Sequence, residues 1–313
     1  MRLAHALLAA AAALPAAAGA QPLAPVHPDP RAPMLVSTRW LASHLNDANL
    51  VLLQVGDPTE YETRHIPGAR LITTQDVSAS GHSKEDANRL EMPNPDSLRA
   101  KLASFGIGDR SRIVVYHGHD WVSPTTRIFM TLNWAGLGDN TSVLDGGLDA
   151  WVKDGHEVTT QTPPPAKAGA LSPLRIRNFV VDAQFVKANI GKGGVAIVDA
   201  RAPAFYDGVQ AGSSMGTAHR AGHIASAKSV PFNSVFTADN RLRSPAELEA
   251  IFTKAGVGPN DTVIGYCHIG QQATEMLFAA RSLGHPILLY DGSFEDWSRH
   301  TEYPVENPST KQP

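Results

Sequence analysis

Cys267 is the one cysteine among 313 residues, and it stands where the apolar run Asp261-Thr262-Val263-Ile264-Gly265-Tyr266 stops, just before an amphipathic pattern over residues 273–283. A strand end that opens into a helix is where functional loops concentrate. The loop reads Cys267-His268-Ile269-Gly270-Gln271-Gln272. It is short and contains a glycine, so several main-chain N–H groups are expected to converge on the sulfur as an anion-binding nest. The helix that follows adds its positive end, and both effects favour thiolate over thiol. The chemistry expected of such a sulfur is nucleophilic attack through a covalent intermediate, and that needs no metal and no organic cofactor. The alternative is an inert core thiol, since free cysteine is among the most buried residue types. A second cluster, His117-Gly118-His119-Asp120, places two histidines and a carboxylate within four residues. It reads as a solvated turn, and no metal site is assigned there.

Two other uses of a cysteine in an anion-cradling loop fit poorly. A Cys-x5-Arg phosphatase needs arginine six positions after the nucleophile, and Ala273 is there. A thiol peroxidase commonly resolves its sulfenic acid with a second cysteine, and the chain has none. The formal charge of −3 gives no pull toward nucleic acid or an anionic membrane.

The chain begins with Met1-Arg2-Leu3, then an alanine- and leucine-rich run, then Ala18-Gly19-Ala20. That order of charged, apolar and small residues predicts a cleavable signal over 1–20, cut after Ala20, and a periplasmic or secreted protein. The apolar stretch is broken by Pro15 and is too short for a stable membrane anchor. A lone cysteine cannot form an internal disulfide in an oxidising compartment, which again points to a sulfur that does chemistry.

The elements that must position this loop occur twice. Residues 50–55, ending at Gly56-Asp57-Pro58, are echoed by residues 195–198, ending at Asp199-Ala200-Arg201. Tyr61 with His65-Ile66-Pro67-Gly68 is echoed by Tyr206 with Gly222-His223-Ile224. Gly106-Ile107-Gly108 before Ile113-Val114-Val115-Tyr116 matches Gly256-Val257-Gly258 before Val263-Ile264-Gly265-Tyr266. Asp145-Gly146-Gly147 with Trp151 matches Asp291-Gly292-Ser293 with Trp297. Apolar strands alternating with helical patterns, such as 96–105 and 246–255, predict α/β halves with parallel sheets covered on both faces. Gln161-Thr162-Pro163-Pro164-Pro165 cannot continue a helix or a central strand, so the halves are divided as 34–160, a linker over 161–173, and 174–305. Residues 21–33 read as a loose, proline-rich arm.

In this order and duplicated, these landmarks resemble the tandem rhodanese-domain sulfurtransferases over nearly the whole chain after residue 33. The resemblance implies two tandem rhodanese-like domains, the first without the nucleophile, and a persulfide carried on Cys267. His117 holds the matching position in the first half. Thiosulfate enzymes of that family typically follow the cysteine with Arg-Lys-Gly-Val-Thr and mercaptopyruvate enzymes with Gly-Ser-Gly-Val-Thr, whereas this loop shares only Gly270. Phe205 stands where the family carries a substrate-binding arginine.

Arg201 and Arg220 are then the candidate anion contacts, alongside His268, Ile269, Gly270, Gln271 and Gln272 in the loop. Protonated His268 could restore part of the positive field. Asp199 and Asp291 are expected as supports, either of them pairing with Arg201. The reaction implied moves sulfane sulfur from thiosulfate or 3-mercaptopyruvate to cyanide or a thiol, including a thiol-bearing protein acceptor. The alternative is a non-enzymatic periplasmic sulfane-sulfur carrier.

Overall fold

The computed structural model describes Arg31 and residues 34–79, 90–119, 122–214 and 217–311. The expected signal segment, the proline-rich arm apart from Arg31, and Asp120 lie outside the described residues.

In chain order the strands are β1 (Leu35–Val36), β2 (Leu50–Val55), β3 (Arg70–Ile72), β4 (Arg112–His117), β5 (Thr141–Leu144), β6 (Val180–Val181) and β7 (Val195–Asp199). They continue with β8 (Ser213–Ser214), β9 (Thr217–Ala218), β10 (His223–Ile224), β11 (Lys228–Ser229), β12 (Thr262–Tyr266), β13 (Ile287–Tyr290) and β14 (Val305–Glu306). The helices are α1 (Thr38–His44), α2 (Pro58–Thr63), α3 (Pro95–Ser104), α4 (Ser123–Trp134) and α5 (Gly147–Lys153) in the first half. In the second half they are α6 (Ala183–Ala188), α7 (Pro203–Tyr206), α8 (Pro245–Lys254), α9 (Gln272–Ser282) and α10 (Ser293–Arg299).

Two five-stranded sheets result, ordered β1-β5-β4-β2-β3 and β6-β13-β12-β7-β11, with every neighbouring pair parallel. Position for position the orders are the same, as the duplicated landmarks predict. Side chains alternate across each strand. Val263 and Cys267 face one way into a core with α8 and α9, while Ile264 and Tyr266 face the other way against α6 and α10. The first half repeats this with Ile113 and Val115 against α3 and α4, and Val114 and Tyr116 against α1 and α5.

The two inner cores are one continuous cluster, because α4 of the first half packs on α9 of the second. Phe129 and Phe278 meet edge to face at 5.0 Å between centroids, a geometry worth about 0.5–1.5 kcal/mol beyond the area it buries. Thr126 and Thr274 hydrogen-bond across the same seam at 3.0 Å. Gly265 permits close seating of α9 on its own sheet: a Cβ there would lie 2.6 Å from Leu277 and 2.8 Å from Met276.

The linker contains no helix or strand from 161 to 173, yet it is tied to the first half. Gly169 donates to the Ala103 carbonyl at 2.8 Å, Asp109 donates to the Ala170 carbonyl at 3.1 Å, and Arg70 donates to the Pro164 carbonyl at 2.8 Å. The segment Gly222-His223-Ile224, expected as a turn, is extended at its end. His223 and Ile224 pair antiparallel with Val305 and Glu306. The cause is the C-terminal strand, which no local pattern announces.

Candidate active site

Cys267 follows the carboxyl end of β12, whose last residue, Tyr266, is registered against Asp199 at the end of β7. That end of a parallel sheet is where α/β folds hold ligands. The main-chain N–H groups of Ile269, Gly270, Gln272 and Ala273 point at the sulfur. Three of the four come from residues singled out in the sequence. Ala273, first read as the start of the helix, belongs to the cradle because α9 starts one residue earlier, at Gln272.

The backbone of Cys267 is held from below by the start of α10. Its N–H donates to Ser293 Oγ at 3.1 Å, its carbonyl accepts from Phe294 at 3.0 Å, and the His268 carbonyl accepts from Glu295 at 3.0 Å. Ser293 adopts φ +54, unusual for a residue with a Cβ, and its hydroxyl also donates to the Tyr290 carbonyl at 2.9 Å. Strain of this kind persists where surrounding contacts over-determine it.

The sulfur is fully buried. Burial pushes the Cys267 thiol up, and the four N–H groups that pull it down only partly offset that. This corrects the expectation of a lowered pKa. The nest is present, but in the closed site desolvation outweighs it. Alkylation of Cys267 by neutral iodoacetamide should therefore keep accelerating as pH rises through 8.5, about the midpoint of an ordinary cysteine. A rate that levels off near pH 6 or 7 would contradict this order of effects.

His268 is likewise corrected. Burial, reinforced by Arg201 and His219 against an opposing Asp199, pushes it down to about 4, so the ring is neutral at pH 7 and adds no positive charge. It lies edge-on to Phe205 at 4.6 Å and 6.2 Å from His219 between ring centroids. Gly212, just before the β8–β9 hairpin, approaches both histidines so closely that a Cβ would sit 2.9 Å from His268 and 3.0 Å from His219. Gly212 and His219, which flank β8 and β9, therefore lie beside His268 of the cysteine loop, and His219 joins the site from a position that motif and spacing did not mark.

The arginines are placed otherwise than as free anion contacts. Arg201 is 1% exposed. It forks onto Asp199 through Nε at 3.0 Å and Nη2 at 2.6 Å, donates to the Gly222 carbonyl at 2.7 Å, and lies 4.0 Å from the Phe294 ring centroid. Burial pulls its pKa down, and the Asp199 carboxylate more than reverses that. Arg201 thus braces the strand end and lends the sulfur its field, with Asp199 as its partner. Arg220 donates to the Trp297 carbonyl at 2.9 Å and the Tyr303 carbonyl at 2.7 Å, which ties down the chain after α10.

Asp291 pairs with Arg127 of the first half at 2.5 Å and accepts the Met92 N–H at 2.8 Å. It lies directly beside Gly270 of the cysteine loop, where a Cβ would stand 2.7 Å from its carbonyl oxygen and 2.9 Å from Oδ1. The Gln271 side chain caps nothing, though its carbonyl accepts the Thr274 hydroxyl at 2.6 Å, and Gln272 Oε1 is buried without a partner.

In the first half the matching loop holds no nucleophile. His117 is buried, with its ring against Gly147 and neither ring nitrogen bonded, and burial pushes it down to about 4. His119 instead faces Asp149 at 2.8 Å. The two histidines are therefore in different surroundings, and among the described residues no group of three or more His, Cys, Asp or Glu could hold a metal ion.

Fold and duplication agree with comparison to known proteins. The Rhodanese-like domain family matches residues 37–154 and 182–300. The chain belongs to the rhodanese family of sulfurtransferases, with two such domains in tandem. It is 30% identical to the thiosulfate sulfurtransferase of Rattus norvegicus over 279 residues, covering 85% of this chain and 92% of the relative. It is 29% identical to the "Sulfur carrier protein TtuD" of Thermus thermophilus over 293 residues, covering 89% and 97%. Among solved structures, YnjE superposes with a TM-score of 0.76 at 24% identity, covering 89% of this chain and 70% of that one. The anaerobic ergothioneine biosynthesis enzyme from Chlorobium limicola superposes with 0.75 at 23%, covering 88% and 70%. At these identities the two structures show a shared fold.

Proposed function

We propose that the protein moves sulfane sulfur from thiosulfate or 3-mercaptopyruvate to a nucleophilic acceptor through a persulfide on Cys267. The observation that carries this is the four-N–H cradle around a single buried sulfur at the end of β12. The Cys267 thiolate attacks the outer sulfur of thiosulfate. A new S–S bond forms to Sγ, the S–S bond of thiosulfate breaks, and its electron pair leaves with sulfite; with 3-mercaptopyruvate the C–S bond breaks instead, and its electron pair leaves as the enolate of pyruvate, which takes up a proton. The outer sulfur of the persulfide is then taken by cyanide or a thiolate, and the Cys267 thiolate is the leaving group. Preorganised N–H donors suit this cycle, because the negative charge stays on sulfur in the cradle throughout. Neither half reaction calls for a metal or an organic cofactor. In the cell the reaction would run outside the cytoplasm after cleavage behind Ala20, with a small thiol or a thiol-bearing protein as acceptor.

Thiocyanate formation from cyanide, with thiosulfate and mercaptopyruvate supplied separately, tests this reading. Turnover with either donor supports it and names the donor class. Sulfur uptake only from a protein donor would replace it with the carrier reading, which is favoured by the phenyl ring of Phe205 where a donor-binding arginine is expected.

Position 205 gives a second test. Phe205 lies against His268 of the loop, so Phe205→Arg would bring a guanidinium toward the bound donor anion. A hydrogen bond to a charged group contributes about 1.5–3 kcal/mol. The KM for thiosulfate should fall roughly tenfold or more, with kcat changing less. An unchanged KM would show that the donor does not pass this position.

A further inference from the structure

The first domain lacks a nucleophile, but one of its side chains reaches the cradle. Arg127 on α4 is fully buried, an arginine in a stretch where residues 125 to 133 are all buried. Its guanidinium leaves its own domain. Nη1 donates to Asp291 Oδ1 at 2.5 Å and to the Gly270 carbonyl at 3.4 Å, and Nη2 donates to Asp291 Oδ2 at 3.4 Å and to the Leu90 carbonyl. Gly270 is the hinge of the loop, with φ +80. A Cβ on it would stand 2.7 Å from the Asp291 carbonyl oxygen and 3.2 Å from Arg127 Nη1, so the ion pair forms the outer wall of the cradle at this residue.

The peptide between Gly270 and Gln271 is planar, so fixing its oxygen fixes the whole unit. A glycine with positive φ is the residue at which such a unit most easily turns over. If it did, a carbonyl oxygen could face the sulfur and repel the anion that the neighbouring N–H groups attract. Arg127 holds that oxygen outward.

We infer that Arg127, together with Asp291, is a positioning residue that keeps the Gly270 carbonyl turned away from Cys267, so that no carbonyl oxygen opposes the N–H groups that converge on the sulfur. This rests on the sulfur-transfer reading for its role in catalysis, but its effect on the thiol can be measured independently. The nucleophile-free domain then does more than cover the site: it sets the conformation of the catalytic loop across the domain boundary.

The test compares wild type, Arg127→Lys and the double variant Arg127→Gln/Asp291→Asn. The double variant removes both charges together, so neither is left buried alone. For each, iodoacetamide alkylation of Cys267 is followed against pH, steady-state sulfur transfer from thiosulfate to cyanide is measured, and folding is checked by urea unfolding. In the double variant the alkylation midpoint should move up by about one pH unit and kcat should fall at least tenfold with KM within about threefold, because a carbonyl oxygen free to face the sulfur disfavours the thiolate while the donor path is untouched. Arg127→Lys keeps the charge but loses the fork, so it should show the same shifts in smaller degree. An alkylation profile that superimposes on wild type in a folded double variant overturns the inference whatever the activity. If the double variant does not fold, the alkylation profile of folded Arg127→Lys decides in the same way. A shifted profile in a protein whose wild type transfers no sulfur would sustain the positioning role while refuting the sulfurtransferase reading.

Discussion

Cys267→Ser is expected to lower sulfur transfer to cyanide by at least about a thousandfold, the scale on which enzymes feel the loss of a covalent nucleophile. The change should leave the fold intact. The sulfur packs in the inner core on α9, serine is slightly smaller, and the loop is held by the Ser293 hydroxyl, which accepts the main-chain N–H of residue 267, and by main-chain bonds from Phe294 and Glu295, none of which the substitution touches. A hydroxyl in this cradle is a far poorer nucleophile than the thiolate, since its pKa is far above that of a thiol. His117 in the first domain cannot take over, being sealed in its own core. Thiocyanate formation by the purified variant, with urea unfolding as control, checks this. Retention of more than a few per cent of wild-type turnover would mean that Cys267 is not the carrier of sulfur.

The second large effect is on stability and comes from the seam between the domains. Glu275 on α9 is 3% exposed and is bonded by the Ser123 hydroxyl of α4. Burial pushes its carboxyl up to about 8, with the Ser123 bond opposing. Its value in the unfolded chain is near 4.5. Between these two values the folded protein holds a proton that the unfolded chain has released, so this residue makes stability fall as pH rises from 4.5 to 8. The slope is about 1.4 kcal/mol per pH unit. Glu275→Gln keeps the shape and removes the titration. The variant should match the parent to within about 1 kcal/mol at pH 5 and exceed it by roughly 3 kcal/mol at pH 8.

His117 and His268 work in the opposite sense. Their folded values near 4 lie below the ordinary 6.5, so their contribution is intact above 6.5 and is lost as pH falls toward 4. The parent should accordingly be most stable near pH 6 to 7, and urea unfolding across the range measures both limbs. Equal stability of parent and Glu275→Gln at pH 8 would show that this carboxyl is not buried as described.

The repeat, the strand-loop-helix around Cys267 and the cradle glycine could be read from residues because each is a local pattern. Apolar runs end at turn residues, a glycine sits where φ must be positive, and the same landmarks recur in both halves. What sequence reasoning missed depends on burial and on contacts distant along the chain. Arg127 meets Gly270 across 143 positions and Asp291 across 164. The only trace of it in the sequence is that Arg127 is the one charged residue between Asp120 and Asp139. Ser293 looked like part of an Asp-Gly turn, and its grip on the Cys267 N–H depends on β13 ending beside β12. The raised pKa of Cys267, expected low, and the neutrality of His268 escape the sequence for the same reason. Loop N–H groups are visible in a sequence, but the removal of water by α9 and by Gly212, His219 and Phe205 around the loop is not. Arg201 shows the complementary case. Its pairing with Asp199 two residues away was readable as one of two options, and the choice between Asp199 and Asp291 was made by Arg127 arriving from the other domain.

The most direct test of the central claim is the intact mass of the purified protein after incubation with thiosulfate or with mercaptopyruvate, followed by peptide mapping. A gain of one sulfur atom, located on Cys267, removed by cyanide and absent from Cys267→Ser, is the result expected. No sulfur gained from either donor, while iodoacetamide still modifies Cys267, would contradict it.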